Sequence, residues 1–140
     1  MARPLSLTKP ASSDNLALFL SLVDVLAQRH DLPVEHVGDL RLLAEEACIN
    51  VVLHAFDEGA PGEMTLQVGF EDGVVEIVIE DDGRPFDPEA TPRPALDAQW
   101  RDREVGGLGW HLIRRLADDL EYRRIDDRNR LTLRKRVPVA

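Results

Sequence analysis

Residues 39–56 read DLRLLAEEACINVVLHAF, the longest predominantly apolar segment with helical spacing in the chain. On a helical wheel of about 100° per residue, its apolar side chains point in most directions. A helix with that pattern is largely buried, so we predict a central helix that begins at Val34 and ends at Phe56. The glycine- and proline-rich segment EGAPGE, at 58–63, follows its end.

Two arcs of polar residues interrupt the apolar surface of this helix, one more than a single solvent-exposed face requires. Glu46, Asn50 and His54 share the first arc, whereas Arg41 and Glu45 share the second. Because a buried polar group without a partner costs several kcal/mol, we interpret the first arc as the lining of a pocket. The alternative is a second solvent-exposed face or a hydrogen-bonded pair at i and i+4. In both cases Glu46, and not Glu45, shares a face with Asn50.

The flanking sequence predicts the element order β-α-α-β-β-loop-α-β-β. The predicted ranges are an edge strand at 3–9, a helix at 16–29, strands at 64–70 and 74–80, a glycine-rich turn and helix within 106–120, and strands at 121–125 and 131–137. A two-residue Asp72-Gly73 turn joins the first hairpin, and DDRNR joins the last one. Because helices do not alternate one-for-one with strands, the predicted fold class is α+β. It is a two-layer α/β sandwich with helices on one face of a mixed, mostly antiparallel sheet.

Composition limits the classes of function. The 140 residues are expected to form a single domain, and the net charge of −9 disfavours binding to nucleic acid. The single cysteine excludes an intramolecular disulfide and a cysteine-based zinc site. The sequence contains neither an apolar run of about 18 residues nor an N-terminal apolar signal segment. We therefore expect a cytoplasmic protein without a membrane segment.

Two further segments carry residue types that suit ligand binding. The strand at 74–80 leads into Asp81-Asp82-Gly83, where a carboxylate and a glycine suit the recognition of an amino group, although a plain turn has the same composition. The stretch VGGLG at 105–109 opens a helix, where free N–H groups suit a phosphate, although a tight entry turn also explains it. The long loop between the two segments has the length of a functional loop.

Three segments in a fixed order give a more specific signal than any one of them. EEACINVVLHAF (45–56), VIEDDGRPFDP (78–88) and GGLGWHLIRRLADDLEY (106–122) together resemble the GHKL ATPase superfamily. Within that superfamily, the resemblance is closest to the anti-sigma factor serine/threonine kinases, and it extends over essentially the whole chain. The resemblance implies a Bergerat-type ATP-binding fold.

The resemblance also implies a role for each residue that matches a family motif. By position, Glu46 corresponds to the general base and Asn50 to the magnesium ligand. Asp81 and Gly83 correspond to the D-x-G pair, whose carboxylate accepts a hydrogen bond from the adenine amino group. Gly107, Leu108 and Gly109 correspond to the G-x-G turn around the triphosphate. The stretch at about 86–105 corresponds to the ATP lid. Pro85 departs from the family pattern, which often has a second glycine there.

The function that the resemblance implies is an ATP- and magnesium-dependent serine/threonine kinase. Such a protein phosphorylates a small anti-anti-sigma (STAS-type) partner and sequesters a sigma factor, and a homodimer is implied by the family resemblance alone. The alternative is a non-catalytic, ATP-gated protein-binding module. A detached catalytic domain of a histidine kinase is disfavoured, because residues 16–30 offer only His30 as a phosphoacceptor.

Overall fold

The computed structural model describes residues 3–56, 62–85 and 105–138, and for 105–110 it describes only the helical backbone. All predicted helices and strands are present in the predicted order. They are β1 (Leu5–Pro10), α1 (Leu16–His30), α2 (Val34–His54), β2 (Glu63–Glu71), β3 (Val74–Asp81), α3 (Val105–Leu116), β4 (Asp119–Ile125) and β5 (Arg128–Arg136), with one short 3-10 turn, Ser13–Asn15, before α1. None of the helices in the described ranges combines the length and apolar character that a membrane span requires.

The strands form one sheet in the order β1-β2-β3-β5-β4, so β1 is an edge strand as predicted. Every strand pair within the described residues is antiparallel, which confirms the α+β class and refines the expectation of a mixed sheet. Asp72 and Gly73 both have positive φ, 53° and 77°, as a two-residue hairpin turn requires. The last hairpin also turns on two residues, Asp126 and Asp127, rather than on the longer DDRNR connection that we predicted.

The helices pack on one face of the sheet. Along β3 every second residue is buried, from Val75 through Ile77 and Ile79 to Asp81. The residues between them, including Glu76, are only half-buried on the opposite face. Since side chains alternate between the faces of a strand, Asp81 lies on the helical side of the sheet, at the end of β3.

The end of α2 is in direct contact with the segment that follows β3. The backbone N–H of Arg84 donates to the carbonyl oxygen of Ala55 over 2.9 Å. A Cβ atom built on Gly83 would lie 2.8 Å from the carbonyl carbon of Ala55, closer than real Cβ atoms come to backbone. Gly83 therefore allows a close approach between the β3 end and α2, which fixes the distance between these two elements.

The position of α3 corrects one prediction. The sequence predicts a glycine turn that leads into a helix extending to residue 120, whereas α3 begins at Val105 and ends at Leu116, and Leu120 belongs to β4. The glycines at 107 and 109 therefore lie in the helical backbone rather than in a turn. Glycine costs about 1 kcal/mol in a helix, and the packing of α3 against α2, with Ile113 fully buried, offsets that cost.

Candidate functional site

A small cavity lies between α2 and the helical face of the sheet, beside the end of β3. Its volume is about 20 Å³, which is room for about one water molecule. Asn50 from α2, Asp81 from β3 and Asn129 from β5 contribute its polar lining. The remaining lining residues are Ala47, Val51, Ile79, Tyr122 and Leu131. The fold thus brings Asn50 and Asp81, 31 positions apart in the sequence, to one cavity.

The amide of Asn50 is buried and only half satisfied. The side chain is 1% exposed, and its Nδ2 donates to the backbone carbonyl oxygen of Glu46 over 2.9 Å. Its Oδ1 is the one buried side-chain nitrogen or oxygen in the described part of the chain that has no hydrogen-bond partner. Such an atom costs about 1–3 kcal/mol. An unpartnered amide oxygen in a cavity is therefore an acceptor available to a ligand or cation.

Glu46 lies one helical turn before Asn50 and is half-buried. It is not among the residues that line the cavity. The hydrogen bond from Asn50 goes to its backbone oxygen, so this bond does not occupy the Glu46 carboxylate. Burial, and secondarily the charge of Glu45, raises the pKa of Glu46 above its ordinary 4.5. A carboxylate with a raised pKa is better suited to act as a general base near neutral pH.

The second polar arc of α2 has a structural explanation. Arg41 reaches across to α1, where its Nη1 donates to Oδ2 of Asp24 over 2.5 Å in a partly exposed ion pair. The second arc thus contributes to helix–helix packing, and only the first arc, with Asn50, reaches the cavity.

Asp81 is a buried carboxylate, 3% exposed, and one of its two oxygens accepts hydrogen bonds from the protein. Its Oδ1 accepts hydrogen bonds from the backbone N–H of Gly83 over 2.8 Å and from Nδ2 of Asn129 over 2.9 Å. Burial raises the pKa of Asp81, and the hydrogen bonds from Asn129 and Gly83, together with the charge of Arg124, act in the opposite direction. A buried acceptor of this kind can select a ligand that carries a hydrogen-bond donor.

Gly83 lies between Asp81 and the end of α2. A Cβ atom at this position would be too close to Ala55. The backbone N–H of Gly83 donates to the Asp81 carboxylate. Gly83 therefore contributes to the site by positioning Asp81.

Sequence reasoning missed the contribution of the last hairpin. The sequence analysis put Asn129 in the DDRNR connection and gave the predicted strand at 121–125 no part in the site, whereas Asn129 is 4% exposed and bonds to Asp81. A signal was present, because Asn129 stands two and four positions before the core residues Leu131 and Leu133. A polar residue in phase with core residues faces the interior of the domain.

The other sequence-predicted parts are described less completely. Gly107, Leu108 and Gly109 lie in the first part of α3, and no side chain is described there. The predicted lid at 86–105 lies outside the described residues except for Val105. The described ranges contain no cluster of three or more histidine, cysteine or acidic residues that could hold a metal ion. A metal at this site would have few protein ligands.

Sequence comparison defines the class of protein to which this fold belongs. The chain belongs to the histidine kinase-like ATPase domain family, whose model matches residues 9–135. The ATPase family that the sequence motifs predicted is thus confirmed.

Sequence similarity places the chain among the serine/threonine protein kinases of this family. It is 33% identical over 124 residues to the serine-protein kinase RsbW of Halalkalibacterium halodurans, covering 85% of this chain and 75% of that protein. It is 37% identical over 94 residues to the serine/threonine-protein kinase BtrW of Bordetella bronchiseptica, covering 67% of this chain and 66% of that protein.

A solved structure shows the same fold. The RsbU and RsbW domains of Rv1364c from Mycobacterium tuberculosis match 99% of this chain with a TM-score of 0.71 and 14% sequence identity. The chain spans about a third of that protein, since it covers 34% of it. At this identity the likeness concerns the fold alone.

Proposed function

We propose that this chain is an ATP- and magnesium-dependent serine/threonine kinase of the anti-sigma type. It phosphorylates a serine of a small anti-anti-sigma (STAS-type) protein and sequesters a sigma factor. The observation that carries the proposal is that the unpartnered Oδ1 of Asn50 and the buried carboxylate of Asp81 line one cavity, with Glu46 one turn away. The similarity to RsbW and BtrW kinases supports the same reaction.

The donor set at Asn50 fits a magnesium ion. Magnesium prefers hard oxygen ligands and keeps most of its shell for water and phosphate, and a single buried amide oxygen without a partner suits that preference. When bound, the ion would neutralise charge on the phosphate oxygens. Asn50 holds its Oδ1 in place through the bond from Nδ2 to the Glu46 backbone, so this ligand is oriented before the nucleotide arrives.

Asp81 and α3 divide the recognition of ATP between them. Asp81 accepts a hydrogen bond from the adenine amino group, because a buried carboxylate is a strong acceptor. Its Oδ1 is already bonded to Gly83 and Asn129, which leaves Oδ2 for the ligand. We assign the triphosphate to the start of α3, where the backbone N–H groups of the first turn, up to Gly107, have no partner within the helix and suit an anion. Leu108 and Gly109 follow that turn, so their N–H groups bond within α3. The nucleotide would then extend from the end of β3 along α2.

Glu46 is the proposed general base. It accepts the proton of the incoming serine hydroxyl while the oxygen forms a bond to the γ-phosphorus and ADP leaves. About 6 Å along the helix separates Glu46 from Asn50, a distance that accommodates a nucleophile beside a metal-bound phosphate.

The test is transfer of labelled γ-phosphate from ATP to a purified STAS-type protein, followed by mapping of the phosphoserine. We expect Glu46→Gln to reduce transfer by about 100-fold or more and to leave ATP binding within about threefold, since general-base catalysis contributes about 10²–10⁴ in rate. The matched control is Glu45→Gln, which changes the neighbouring carboxylate on the other arc and is expected to keep near-normal transfer.

Two results would overturn parts of the proposal. ATP binding without phosphotransfer to any STAS-type protein, unchanged by Glu46→Gln, would favour the ATP-gated binding module. Formation of an acid-labile phosphohistidine on this chain would instead favour the chemistry of a histidine kinase. A pull-down with ATP or with ADP, followed by identification of any captured sigma factor, tests sequestration separately.

A further inference from the structure

We propose that Asn129 is the positioning residue for base recognition, and that Tyr122 holds Asn129 in the orientation that this requires. In this arrangement Asn129 fixes Asp81 so that only the Oδ2 oxygen of the carboxylate meets the amino group of the base. The inference rests on the proposed function, because it concerns how this ATP site selects its nucleotide.

The amide of Asn129 is held on all sides. Its Nδ2 donates to Oδ1 of Asp81 over 2.9 Å and to the backbone oxygen of Arg84 over 2.8 Å. Its Oδ1 accepts from the hydroxyl of Tyr122 over 2.5 Å and from Nη1 of Arg124 over 3.1 Å. A flipped amide would place its oxygen against two acceptors and its NH₂ group against the guanidinium of Arg124, which can only donate, so these partners select a single orientation.

The bond from Asn129 completes the hydrogen bonding of one carboxylate oxygen. Oδ1 of Asp81 already accepts the backbone N–H of Gly83, and an oxygen of a carboxylate offers about two lone-pair sites. With Asn129 and Gly83 both bonded to Oδ1, a ligand donor is directed to Oδ2. Selection of the base then depends on a carboxylate that cannot rotate.

The hairpin of β4 and β5 is the element that supplies this support. Asn129 is opposite Asp81 in the β3–β5 register, and Arg124 also donates to the backbone oxygen of Gly83 over 2.7 Å. Tyr122 and Leu131, which are opposite each other in β4 and β5, line the cavity together with Asn129. Strand β4, at the edge of the sheet, is thus connected to Asp81 through hydrogen bonds from Tyr122 and Arg124 to Asn129.

The experiment compares two nucleotides on the same proteins. Purine riboside triphosphate is ATP without the amino group on the base, and its affinity does not depend on Asp81 as an acceptor. We measure the dissociation constants of both nucleotides for the wild type, Asn129→Asp, Tyr122→Phe and Thr132→Val. Asn129→Asp keeps the shape and removes both N–H donors, and Thr132→Val is the matched control on the opposite face of β5.

We expect the wild type to prefer ATP by at least about tenfold, as a hydrogen bond to a charged acceptor allows. Asn129→Asp should lower ATP affinity by about tenfold and change the affinity for purine riboside triphosphate by less than about threefold, so that most of a tenfold preference is lost. Tyr122→Phe should lose about two- to fivefold of the preference, and Thr132→Val none of it.

Different results would overturn different statements. A wild type that binds both nucleotides equally contradicts base recognition by Asp81, and with it that part of the proposed function. A wild-type preference that survives in Asn129→Asp contradicts only the positioning role of Asn129. An equal loss of affinity for both nucleotides in Asn129→Asp, accompanied by a lower melting temperature, would show that Asn129 has a purely structural role.

Discussion

At the scale of single residues, the site is marked by polar groups that a folding core would otherwise avoid. Asn50 leaves a buried oxygen without a partner, and Asp81 is a carboxylate that burial makes costly to ionise. Neither feature favours the folded state without a ligand. Groups that cost stability and line the same cavity indicate a binding site, because functional sites are where a fold accepts such costs.

Asp81→Asn separates the function of this carboxylate from its effect on stability. Its pKa is raised by burial, so its favourable contribution to folding is present below the ordinary 3.8 and is lost as pH rises through the folded pKa. At neutral pH the variant should therefore be at least as stable as the wild type, and the difference should shrink in acid. ATP affinity should fall about 100-fold, because the amide cannot act as a charged acceptor.

Calorimetric titration with ATP and denaturation curves at several pH values measure both effects of Asp81→Asn. Asp82→Asn, at the exposed neighbouring position, is the control. It should change ATP affinity by less than about twofold and the free energy of unfolding by less than about 0.5 kcal/mol. ATP affinity that is retained in Asp81→Asn would contradict the assigned role.

At the scale of elements, the contact between the β3 end and α2 sets the geometry of the site. Gly83 and Ala55 approach each other closely, and the same turn carries the N–H that donates to Asp81. The helix that carries the proposed metal ligand and the strand end that carries the proposed base-recognition residue are therefore held at a fixed distance. Displacement of either element would move two functional groups apart.

Gly83→Ala should destabilise the protein by about 1–3 kcal/mol, because the added methyl group forces backbone apart in a well-packed contact. ATP affinity should fall with it, since the turn that holds Asp81 must shift. Gly38→Ala is the matched control in α2: nothing lies within 4 Å of a Cβ there, so alanine should raise the free energy of unfolding by up to about 1 kcal/mol. Urea denaturation measures the free energy of unfolding of both variants. Similar values for the two would contradict a tight contact between Gly83 and Ala55.

At the scale of the whole molecule, the helices cover one face of the sheet and the opposite face remains polar. Strands β3 and β5 carry ion pairs there, including Arg130 with Glu80 and Arg134 with Glu76. These pairs are partly exposed, and such pairs contribute little to stability. The stability of the domain therefore comes mainly from the apolar layer, which also contains the proposed nucleotide site.

Because the site lies within that layer, nucleotide should stabilise the whole domain. ATP with magnesium at about 100 times its dissociation constant should add about 2.7 kcal/mol to the free energy of unfolding. Asn50→Ala should remove the difference between ATP with magnesium and ATP with EDTA, whereas Gln67→Ala, at a half-buried position of β2, should keep it. Thermal denaturation under the two conditions measures this, and an unchanged magnesium effect in Asn50→Ala would contradict the assigned ligand.

The features of this protein that follow from local periodicity could be predicted from the amino-acid order. Alternation and helical spacing predicted every described helix and strand, and the helical period alone placed Glu46 and Asn50 on one face, apart from Glu45. The predicted start of α3 was wrong. Its glycines indicate a turn locally, whereas packing of α3 on α2 extends the helix through them. The two-residue turn at Asp126 and Asp127 was also missed, since acidic residues with positive φ are common only in particular turns.

Which distant groups meet depends on how the strands pair in the folded protein. Asp81 and Asn129 are 48 positions apart and become partners because β3 and β5 pair in one register, in which a shift by one residue would turn Asn129 to the opposite face. Tyr122 and Arg124 reach the site for the same reason, through the pairing of β4 with β5. Local spacing carries no information on such pairings, since register is set by the burial of whole strands against the helices.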